Sequence, residues 1–231
     1  MDFAIIAAGE GSRLIQEGVL TPKPLIQIQG IPLIERLLRI FLKNGASSIS
    51  VIVNEEMKEV QNYLEKIQLP VPFNLCIQST PSSMHSFYEL SFYLKNESFC
   101  LTTVDTIFKE EEFSNFIKAF NDSCDLDGLM AVTDFVDDEK PLFVKTDHDL
   151  SIHGFFDKQE ENCVFVSGGI YCLKHLGIRV LTNAISEGIS RMRNYQRRLV
   201  SEGLKIKAYP FTKIIDVDHA EDIIKAEEFL S

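Results

Sequence analysis

Residues 3–14 read FAIIAAGEGSRL, and residues 21–25 read TPKPL. The apolar run that opens the first segment predicts a buried first strand of a parallel sheet, and its Gly-x-Gly pair predicts a turn after that strand. Glycines in such a turn leave backbone N–H groups free to face an anion, and Arg13 and Lys23 add two positive charges. The two segments therefore predict a cradle for the phosphates of a nucleoside triphosphate.

Two better-known glycine loops do not match this segment. The P-loop ends in Gly-Lys-Ser/Thr, whereas Gly11 is followed here by Ser12 and Arg13. The dinucleotide fingerprint needs a third glycine where this chain has Leu14, and an acidic residue about 20 positions further on. The nearest acid at the end of a predicted strand is Glu55, which is too distant.

The composition indicates a globular protein and limits its partners. The chain has 231 residues, enough for one substantial α/β core and short for two, so we expect a single domain. The formal net charge of -11 argues against a nucleic-acid partner, because binding a phosphate backbone requires a broad basic face. A small anionic substrate remains compatible with this net charge, since a few local cations can focus the electrostatic field in one cleft.

Cysteine usage and the N-terminal sequence bear on location. The five cysteines form no Cys-x-x-Cys pair and mostly lie in apolar runs, which is typical of small buried side chains in a reducing compartment. No signal-peptide pattern opens the sequence, and no apolar run approaches the roughly 18 residues of a transmembrane helix. We therefore expect a cytoplasmic protein with no membrane partner.

The first half of the chain predicts alternating strands and helices. After the first strand, further strands are predicted at 50–54, 73–78 and 99–104, and helices at 33–43, 56–67, 82–94 and 110–120. This order begins as βαβαβ, which predicts right-handed crossovers and a ligand crevice at the carboxyl ends of the strands.

The pattern changes in the second half. We predict a strand at 128–132, an antiparallel hairpin within 142–156, a strand at 165–171, and helices at 174–187, 190–202 and up to Phe229. Adjacent glycines inside a strand, here Gly168 and Gly169, usually mark a bulge or a close backbone approach.

The pattern Ala-Ala-Gly-x-Gly-x-Arg, with Thr-Pro-Lys-Pro-Leu close behind it, resembles the sugar-phosphate nucleotidylyltransferases, also called nucleotide-diphospho-sugar pyrophosphorylases. In that family the glycine loop, its arginine and the lysine of the Pro-Lys motif surround the nucleoside triphosphate. Many members continue with Leu-x-Pro-x-Thr after the arginine, where this chain has Leu-Ile-Gln-Glu-Gly. The resemblance implies that the nucleotide contacts are Ala8, Gly9, Gly11 and Ser12, and that the catalytic cations are Arg13 and Lys23.

Two acids match the family's metal-binding positions. From the residues alone, Asp105 could equally be a helix cap or a solvated loop residue after a strand. Its segment Asp-Thr-Ile-Phe resembles the family's Gly-Asp-x-Ile-Phe, and the segment around Asp218 is similar to Asp-Val-Asp-Thr-Pro-Glu-Asp. The resemblance implies that Asp105 and Asp218 hold Mg²⁺, which prefers hard oxygen ligands. Asp216 projects to the same side of an extended strand as Asp218, so it is the alternative candidate for this metal-binding position.

Residues 78–87 read QSTPSSMHSF and follow a predicted strand. Taken singly, the serines are typical helix caps. The family carries Gln-x-x-Pro-x-Gly-Leu-Ala here and uses it to recognise the nucleobase, which implies contacts from Gln78 and Ser83. Ser83 stands where the family's glycine would be. The run from Ser83 to Phe87 is also similar to phosphocholine cytidylyltransferase-like members, so the resemblance leaves the base open.

The resemblance also implies that the second half of the chain binds the acceptor. Phe-Asp-Lys at 156–158 resembles the family's Glu-Lys-Pro, which implies that Lys158 contacts the acceptor phosphate; a surface lysine at a strand end is the competing interpretation. Gly168 and Gly169 match an element that lines the sugar pocket. Four arginines on the helix predicted at 190–202 could form a solvated face, bind an acidic substituent of the acceptor or line a subunit contact: Arg191, Arg193, Arg197 and Arg198.

The resemblance implies the nucleotide-diphospho-sugar transferase fold, a GT-A-like, Rossmann-like three-layer α/β architecture with a mostly parallel mixed sheet. Residues 1–125 would form the nucleotide-binding half of the domain, and residues 126–231 the acceptor-binding half with the closing helix. The implied reaction is Mg²⁺-dependent transfer of NMP from an NTP to a sugar 1-phosphate, with release of pyrophosphate.

Three other interpretations stay open. Phosphocholine or another alcohol phosphate could replace the sugar 1-phosphate as acceptor of a cytidylyltransferase. A catalytically inactive nucleotide-sugar-binding module is disfavoured because the expected cations and acids are all present. A glycosyltransferase would normally end a central strand with Asp-x-Asp, which here comes just before the last helix. Neither the nucleobase nor the formation of a homo-oligomer is decided by the sequence.

Overall fold

A computed structural model describes residues 1–137, 139–161 and 163–231. Its strands are β1 (Asp2–Ala7), β2 (Gln27–Ile28), β3 (Ile31–Pro32), β4 (Ser48–Val53), β5 (Phe73–Ile77), β6 (Ser98–Thr103), β7 (Thr106–Ile107), β8 (Gly128–Thr133), β9 (Phe143–Thr146), β10 (Ile152–Phe156), β11 (Phe165–Lys174), β12 (Ile206–Pro210) and β13 (Ile215–Asp216). Its α-helices are α1 (Ser12–Gln16), α2 (Leu33–Lys43), α3 (Lys58–Leu64), α4 (Ser83–Ser91), α5 (Glu110–Asn121), α6 (His175–Ser186), α7 (Met192–Ser201) and α8 (Ala220–Leu230).

Strand β1 lies at the centre of the parallel part of the sheet. It pairs in parallel with β4 on one side and β6 on the other, and β5 continues the parallel set beyond β4. Ala7 lies opposite Val53, and Ile6 lies opposite Thr103, so these three strands end side by side. The loops that follow β1, β4 and β6 therefore open onto one edge of the sheet, where the sequence predicts the ligand crevice.

The apolar residues of β1 are buried on both faces of the sheet. Phe3 packs against Phe41 of α2 with ring centroids 4.6 Å apart, while Ala4 and Ile6 join the core on the opposite face with Phe87 of α4. Successive side chains of a strand point to opposite faces, so an uninterrupted apolar run requires helices on both. The predicted three-layer α/β fold is confirmed.

The second half extends the sheet with antiparallel strands. Strand β11 pairs antiparallel with β6, β8 and β9, and β9 and β10 form the predicted hairpin. The register of β11 against β8 shifts between Ser167 and Tyr171, which is the bulge predicted from the adjacent glycines. A Cβ on Gly168 would lie 2.2 Å from Ile214 and 3.2 Å from the carbonyl oxygen of Ala131, so the backbone approaches closely there.

Two helices of the first half are shorter than the periodicity predicts. The helix predicted at 56–67 is α3, which begins at Lys58, because the preceding residues form a turn. The side-chain oxygen of Asn54 accepts a hydrogen bond from the backbone of Glu56 at 2.9 Å, and the amide of Gln61 donates to the carbonyl of Asn54 at 2.9 Å. The helix predicted to reach residue 94 ends at Ser91.

The cysteines are free thiols. Cys76, Cys100, Cys163 and Cys172 are buried as predicted, whereas Cys124 is exposed. Among the described residues, the helices are all too short or too polar to cross a lipid bilayer.

Asp2 anchors the start of β1. Its side chain is 1% exposed and accepts hydrogen bonds from the backbone of Lys95 at 2.7 Å, the backbone of Asn96 at 2.8 Å and the hydroxyl of Ser48 at 2.7 Å. Burial alone would raise the pKa of this carboxyl, but the hydrogen bonds from Asn96, Ser48 and Lys95 outweigh it and lower the pKa below its ordinary value.

We expect Asp2→Ala to reduce the free energy of unfolding by about 3 kcal/mol at neutral pH, because it leaves buried backbone donors unpaired. A lowered folded-state pKa stabilises the protein above the unfolded pKa of about 3.9, and this contribution is lost as the pH falls through the folded value. Urea unfolding should therefore show the difference from wild type shrinking from pH 7 to acidic pH. A difference that is constant over this range would contradict the prediction. Ser48→Ala, which removes one hydroxyl donor, should lose only about 1 kcal/mol.

Candidate active site

The glycine loop after β1 forms one wall of a cavity of about 460 Å³, which we call the loop cavity. Gly11 has φ +65, in the left-handed region, and a Cβ at this position would lie 3.3 Å from the Cβ of Lys23. Glycine therefore allows the Thr-Pro-Lys-Pro-Leu segment to pack directly against the loop. The cavity brings together most of the residues that the sequence predicts for the triphosphate and base, namely Ala8, Gly9, Gly11, Ser12, Lys23 and Ser83, with Asp105 of the predicted metal site.

Lys23 lies at the base of this cavity between two carboxylates. It begins a 3-10 turn that Pro22 precedes and that contains Pro24, and its side chain is 7% exposed. Its Nζ lies 2.5 Å from Oδ2 of Asp105 and 2.6 Å from Oδ1 of Asp218. A buried ammonium requires such partners, because desolvating an unpaired charge is unfavourable.

The pKa shifts of this group reflect the close pairing. Burial alone would lower the pKa of Lys23, but Asp105 and Asp218 outweigh it and raise the pKa above its ordinary value. Burial would likewise raise the pKa of Asp105, but the ammonium of Lys23 and a hydrogen bond from Thr103 hold it below the usual range. Lys23 and Asp105 are therefore both charged at neutral pH.

A small two-stranded sheet brings Asp105 and Asp218 together. Strand β7 pairs antiparallel with β13, so Thr106 lies opposite Asp216. The backbone N–H of Val217 donates to the carbonyl of Asp105 at 3.1 Å, which fixes the two turns against each other. The two acids that the sequence matches to metal positions therefore share one cation, and Asp216 points toward neighbouring cavities instead.

Arg13 lies at the mouth of the site rather than in the loop cavity. Its guanidinium contacts Asp218 at 3.0 Å and Glu139 at 3.5 Å, and its side chain is 43% exposed. Together with Gly168, Asp216 and Asp218 it lines a separate, smaller cavity.

The carboxylates of Asp105 and Asp218 fit a Mg²⁺ site that is completed by a substrate. One oxygen of each approaches the same point, which Nζ of Lys23 occupies. In the described part of the chain, no group of three or more His, Cys, Asp or Glu side chains is arranged to hold a metal ion. Mg²⁺ is commonly bound through one or two carboxylates plus substrate phosphates, so two oxygens are compatible with it.

A second cavity of about 290 Å³ adjoins the loop cavity, and we call it the α7 cavity. The two cavities share Ile6, Ser83 and Thr103. Three basic side chains from two segments line the α7 cavity, together with Gly169 and Asp216 of the predicted site: Lys140 before β9, and Arg191 and Arg193 at the start of α7. Arg191 has φ 72, a backbone conformation that is strained for a residue with a side chain.

The four arginines of the α7 region have different environments. Arg193 and Arg197 both pair with Asp157, and Arg198 pairs with Glu187 and Glu202. Arg191 and Arg193 both line the α7 cavity, and Arg191 is exposed while Arg193 is half-buried.

Two predicted site residues lie apart from the cavities. Lys158 is exposed and lines none of the three cavities described above. Gln78 is half-buried, its backbone N–H donates to Val53 at 2.9 Å, and it also lines none of them.

Several polar residues of the cavities were missed by sequence reasoning. Asn54 and Thr80 line the loop cavity, and Lys140, Tyr171 and Gln196 line the α7 cavity. A signal existed for Asn54, because it directly follows β4 at the same edge as the glycine loop. No comparable signal marks Lys140, which lies in an irregular segment before β9.

A mostly parallel sheet with a glycine-loop cavity at its carboxyl edge defines an α/β protein of the nucleotidyltransferase class. A family model described as the MobA-like NTP transferase domain matches residues 3–153, and the chain belongs to that family. The matched range contains the glycine loop, Lys23 and Asp105. The predicted membership of the nucleotidyltransferases is thereby confirmed.

Solved structures share the fold at low sequence identity. The inositol-1-phosphate CTP transferase from T. maritima superposes with a TM-score of 0.80 at 17% identity, over 100% of this chain and 97% of that chain. HddC from Yersinia pseudotuberculosis gives a TM-score of 0.75 at 20% identity, over 99% of this chain and 98% of that chain. At this identity the likeness establishes the fold.

Curated relatives include larger proteins. The bifunctional protein GlmU of Thermodesulfovibrio yellowstonii is 26% identical over 228 residues, which cover 92% of this chain and 48% of the relative. The chain thus spans about half the length of the GlmU proteins it matches. A 2-aminoethylphosphonate cytidylyltransferase of Lancefieldella rimae is 42% identical over 62 residues, or 27% of this chain and 25% of that protein.

Proposed function

We propose that the protein transfers a nucleoside monophosphate from an NTP to a sugar 1-phosphate, forming an NDP-sugar and pyrophosphate. The observation that carries the proposal is that the loop cavity and the α7 cavity adjoin at Ile6, Ser83 and Thr103. A triphosphate in the first and an acceptor phosphate in the second would meet beside Asp105. Holding both reactants in contact is the main requirement of such a transfer.

The proposed reaction is a single in-line displacement. An oxygen of the acceptor phosphate attacks the α-phosphorus, a new P–O bond forms, and the bond to the pyrophosphate oxygen breaks. The attacking oxygen is already anionic, so neither a general base nor a covalent intermediate is needed. The protein then contributes positioning and charge neutralisation.

In this proposal Lys23 and Arg13 neutralise charge on the α-phosphate and the departing pyrophosphate. Asp105 and Asp218, with Asp216 as the fallback, hold Mg²⁺, which supplies further charge neutralisation when bound. Lys23 is paired with both carboxylates in the structure. Binding of the triphosphate therefore requires Lys23 to exchange carboxylate oxygens for phosphate oxygens.

We assign the acceptor phosphate to the cationic rim of the α7 cavity. Lys140 converges there with Arg191 and Arg193, which both lie at the start of α7, whereas Lys158 is exposed outside the cavities. Arginine and lysine are the usual ligands of phosphate groups.

An alcohol phosphate such as phosphocholine is the second candidate acceptor. It is supported by the likeness of one segment to a 2-aminoethylphosphonate cytidylyltransferase. Among structural neighbours, the T. maritima protein is described as acting on inositol 1-phosphate with CTP. These names support a small acceptor that carries a phosphate or phosphonate group and leave the nucleobase open.

The proposal is tested by measuring pyrophosphate release with Mg²⁺ for CTP, UTP, GTP, ATP and dTTP. Each NTP is paired with a panel of sugar 1-phosphates, inositol 1-phosphate and phosphocholine. We expect release from a pairing with a sugar 1-phosphate. If no acceptor gives pyrophosphate release while thermal shift shows that the NTP still binds, the result would contradict nucleotidyl transfer to these classes of acceptor.

A further inference from the structure

The floor of the α7 cavity is polar and uncharged. Ser167 donates a hydrogen bond to the amide oxygen of Gln196 at 2.9 Å, and the amide nitrogen of Gln196 donates to the hydroxyl oxygen of Tyr171 at 3.2 Å. All three side chains line the cavity, and Gln196 and Tyr171 are only 3% and 5% exposed. Hydrogen bonds between β11 and α7 therefore fix the position of the Tyr171 hydroxyl.

The hydroxyl of Tyr171 stays protonated. Burial raises the pKa of this phenol, an interaction with the Ser167 hydroxyl opposes the shift, and the carboxylate of Asp216 adds to it, so that the pKa lies well above its ordinary value. A neutral phenol can both donate and accept a hydrogen bond. The hydroxyl groups of a polyol have the same dual character, so the floor suits a polyhydroxylated ligand.

The rim and floor together disfavour a quaternary ammonium. Recognition of such a cation uses aromatic faces and negative charge. Among the described residues that line the α7 cavity, Tyr171 is the one aromatic side chain and Asp216 the one carboxylate, against three basic side chains, of which Arg193 also pairs with Asp157 outside the lining. Positive charge at the rim attracts a phosphate and repels a trimethylammonium group.

We propose that Tyr171 hydrogen-bonds a hydroxyl group of a polyol phosphate acceptor, such as a sugar 1-phosphate, and that this contact selects such acceptors over phosphocholine. Tyr171 is then a specificity-determining residue that touches the substrate, and Gln196 and Ser167 are positioning residues that act through it. The inference rests on the proposed function, because it concerns the acceptor of the same reaction.

The test compares Tyr171→Phe with wild type on the accepted sugar 1-phosphate and on its monodeoxy analogues. We expect kcat/KM for the parent sugar to fall about tenfold, with the KM for the NTP unchanged. One analogue should be used equally well by both proteins, because it lacks the hydroxyl that Tyr171 contacts. A loss that is equal for the parent and for every analogue would overturn the inference.

Two further variants separate recognition from folding. Tyr195→Phe also removes a buried phenol hydroxyl, which donates to the carbonyl of Gly177 at 3.0 Å and does not line the cavity. It should leave the preference for the parent sugar over the analogue unchanged. Gln196→Leu should reduce that preference. The preference is the ratio of kcat/KM for the parent sugar to kcat/KM for the analogue, and a smaller folded fraction cannot alter this ratio. An unchanged ratio in Gln196→Leu would contradict its positioning role.

Calorimetry keeps this inference distinct from the proposed function. If the wild type binds a sugar 1-phosphate but releases no pyrophosphate, the proposed function fails. Binding that is about tenfold weaker in Tyr171→Phe would still support the inference. Absence of sugar 1-phosphate binding, or a wild-type preference for phosphocholine, would overturn it.

Discussion

Asp105→Asn is expected to lower kcat for nucleotidyl transfer by about a thousandfold while the protein remains folded. The substitution preserves the shape of the side chain and removes one of two anionic oxygens proposed to hold Mg²⁺. Metal-assisted neutralisation of phosphate charge contributes several kcal/mol, and each 1.36 kcal/mol is a factor of ten. Lys23 keeps its contact with Asp218 in the variant, so the buried ammonium is still paired.

The measurement is pyrophosphate release across a Mg²⁺ titration, with NTP binding followed separately by calorimetry. We expect the variant to bind the NTP and to lose most of the gain in affinity that Mg²⁺ gives the wild type. Asp218→Asn and Asp216→Asn are the matched pair for the second carboxylate. Asp218→Asn should resemble Asp105→Asn, whereas Asp216→Asn should retain the response to Mg²⁺. Full activity in Asp105→Asn would refute the metal assignment.

The sequence was sufficient for the fold and for the glycine-loop wall of the candidate site. The run from Phe3 to Ala7 has no polar interruption, and such a strand is stable only between two layers of helices. The glycines and the Pro-Lys motif follow this strand at a short distance along the sequence. These features are local in the chain, so their spacing alone specified the wall of the loop cavity that the glycine loop and Lys23 form.

The meeting of Asp105, Asp218 and Lys23 could not be derived from periodicity. The strands that join them, β7 and β13, have two residues each and carry no periodic pattern. Only the family resemblance connected the two acids. The α7 cavity is even more difficult to predict from the sequence, because Lys140 and Arg191 lie in irregular segments. Whether those segments approach each other depends on tertiary packing.

Lys158 illustrates the limit of matching a short motif. The neighbouring Asp157 is held by Arg193 and Arg197, and these pairs depend on the docking of α7 beside β10. The lysine that follows is exposed, while cations distant in sequence line the cavity. A motif of three residues specifies a backbone position, and the surrounding charges determine where each side chain lies.

Lys23→Ala is expected to abolish detectable turnover and to reduce the free energy of unfolding by about 3 kcal/mol at neutral pH. Removing one partner of a buried ion pair leaves the other charge uncompensated. Here two carboxylates, of which Asp105 is the more buried, would face each other without the ammonium. Arg13→Ala is the stability control, because its exposed pair with Asp218 should contribute about 1 kcal/mol or less.

The pH dependence of unfolding separates this charge effect from lost packing. In wild type the lowered pKa of Asp105 stabilises the fold above the unfolded pKa, and this contribution is lost as the pH falls through the folded value. In Lys23→Ala the unpaired carboxylates repel each other, so a folded-state pKa rises above the unfolded value. The destabilisation should therefore shrink as the pH falls from 7 toward about 5. Equal destabilisation throughout that range would indicate lost packing alone.

Divalent cations provide the decisive comparison for Lys23→Ala. Two carboxylate oxygens that converge on one point, with the ammonium removed, form a better site for Mg²⁺ than the same oxygens paired with Lys23. Millimolar Mg²⁺ should raise the Tm of Lys23→Ala, whereas without NTP it should leave the wild-type Tm almost unchanged. The double variant Lys23→Ala/Asp105→Asn should lose this response, because one of the two oxygens is no longer anionic. A Mg²⁺ response of the same size in all three proteins would contradict binding between Asp105 and Asp218.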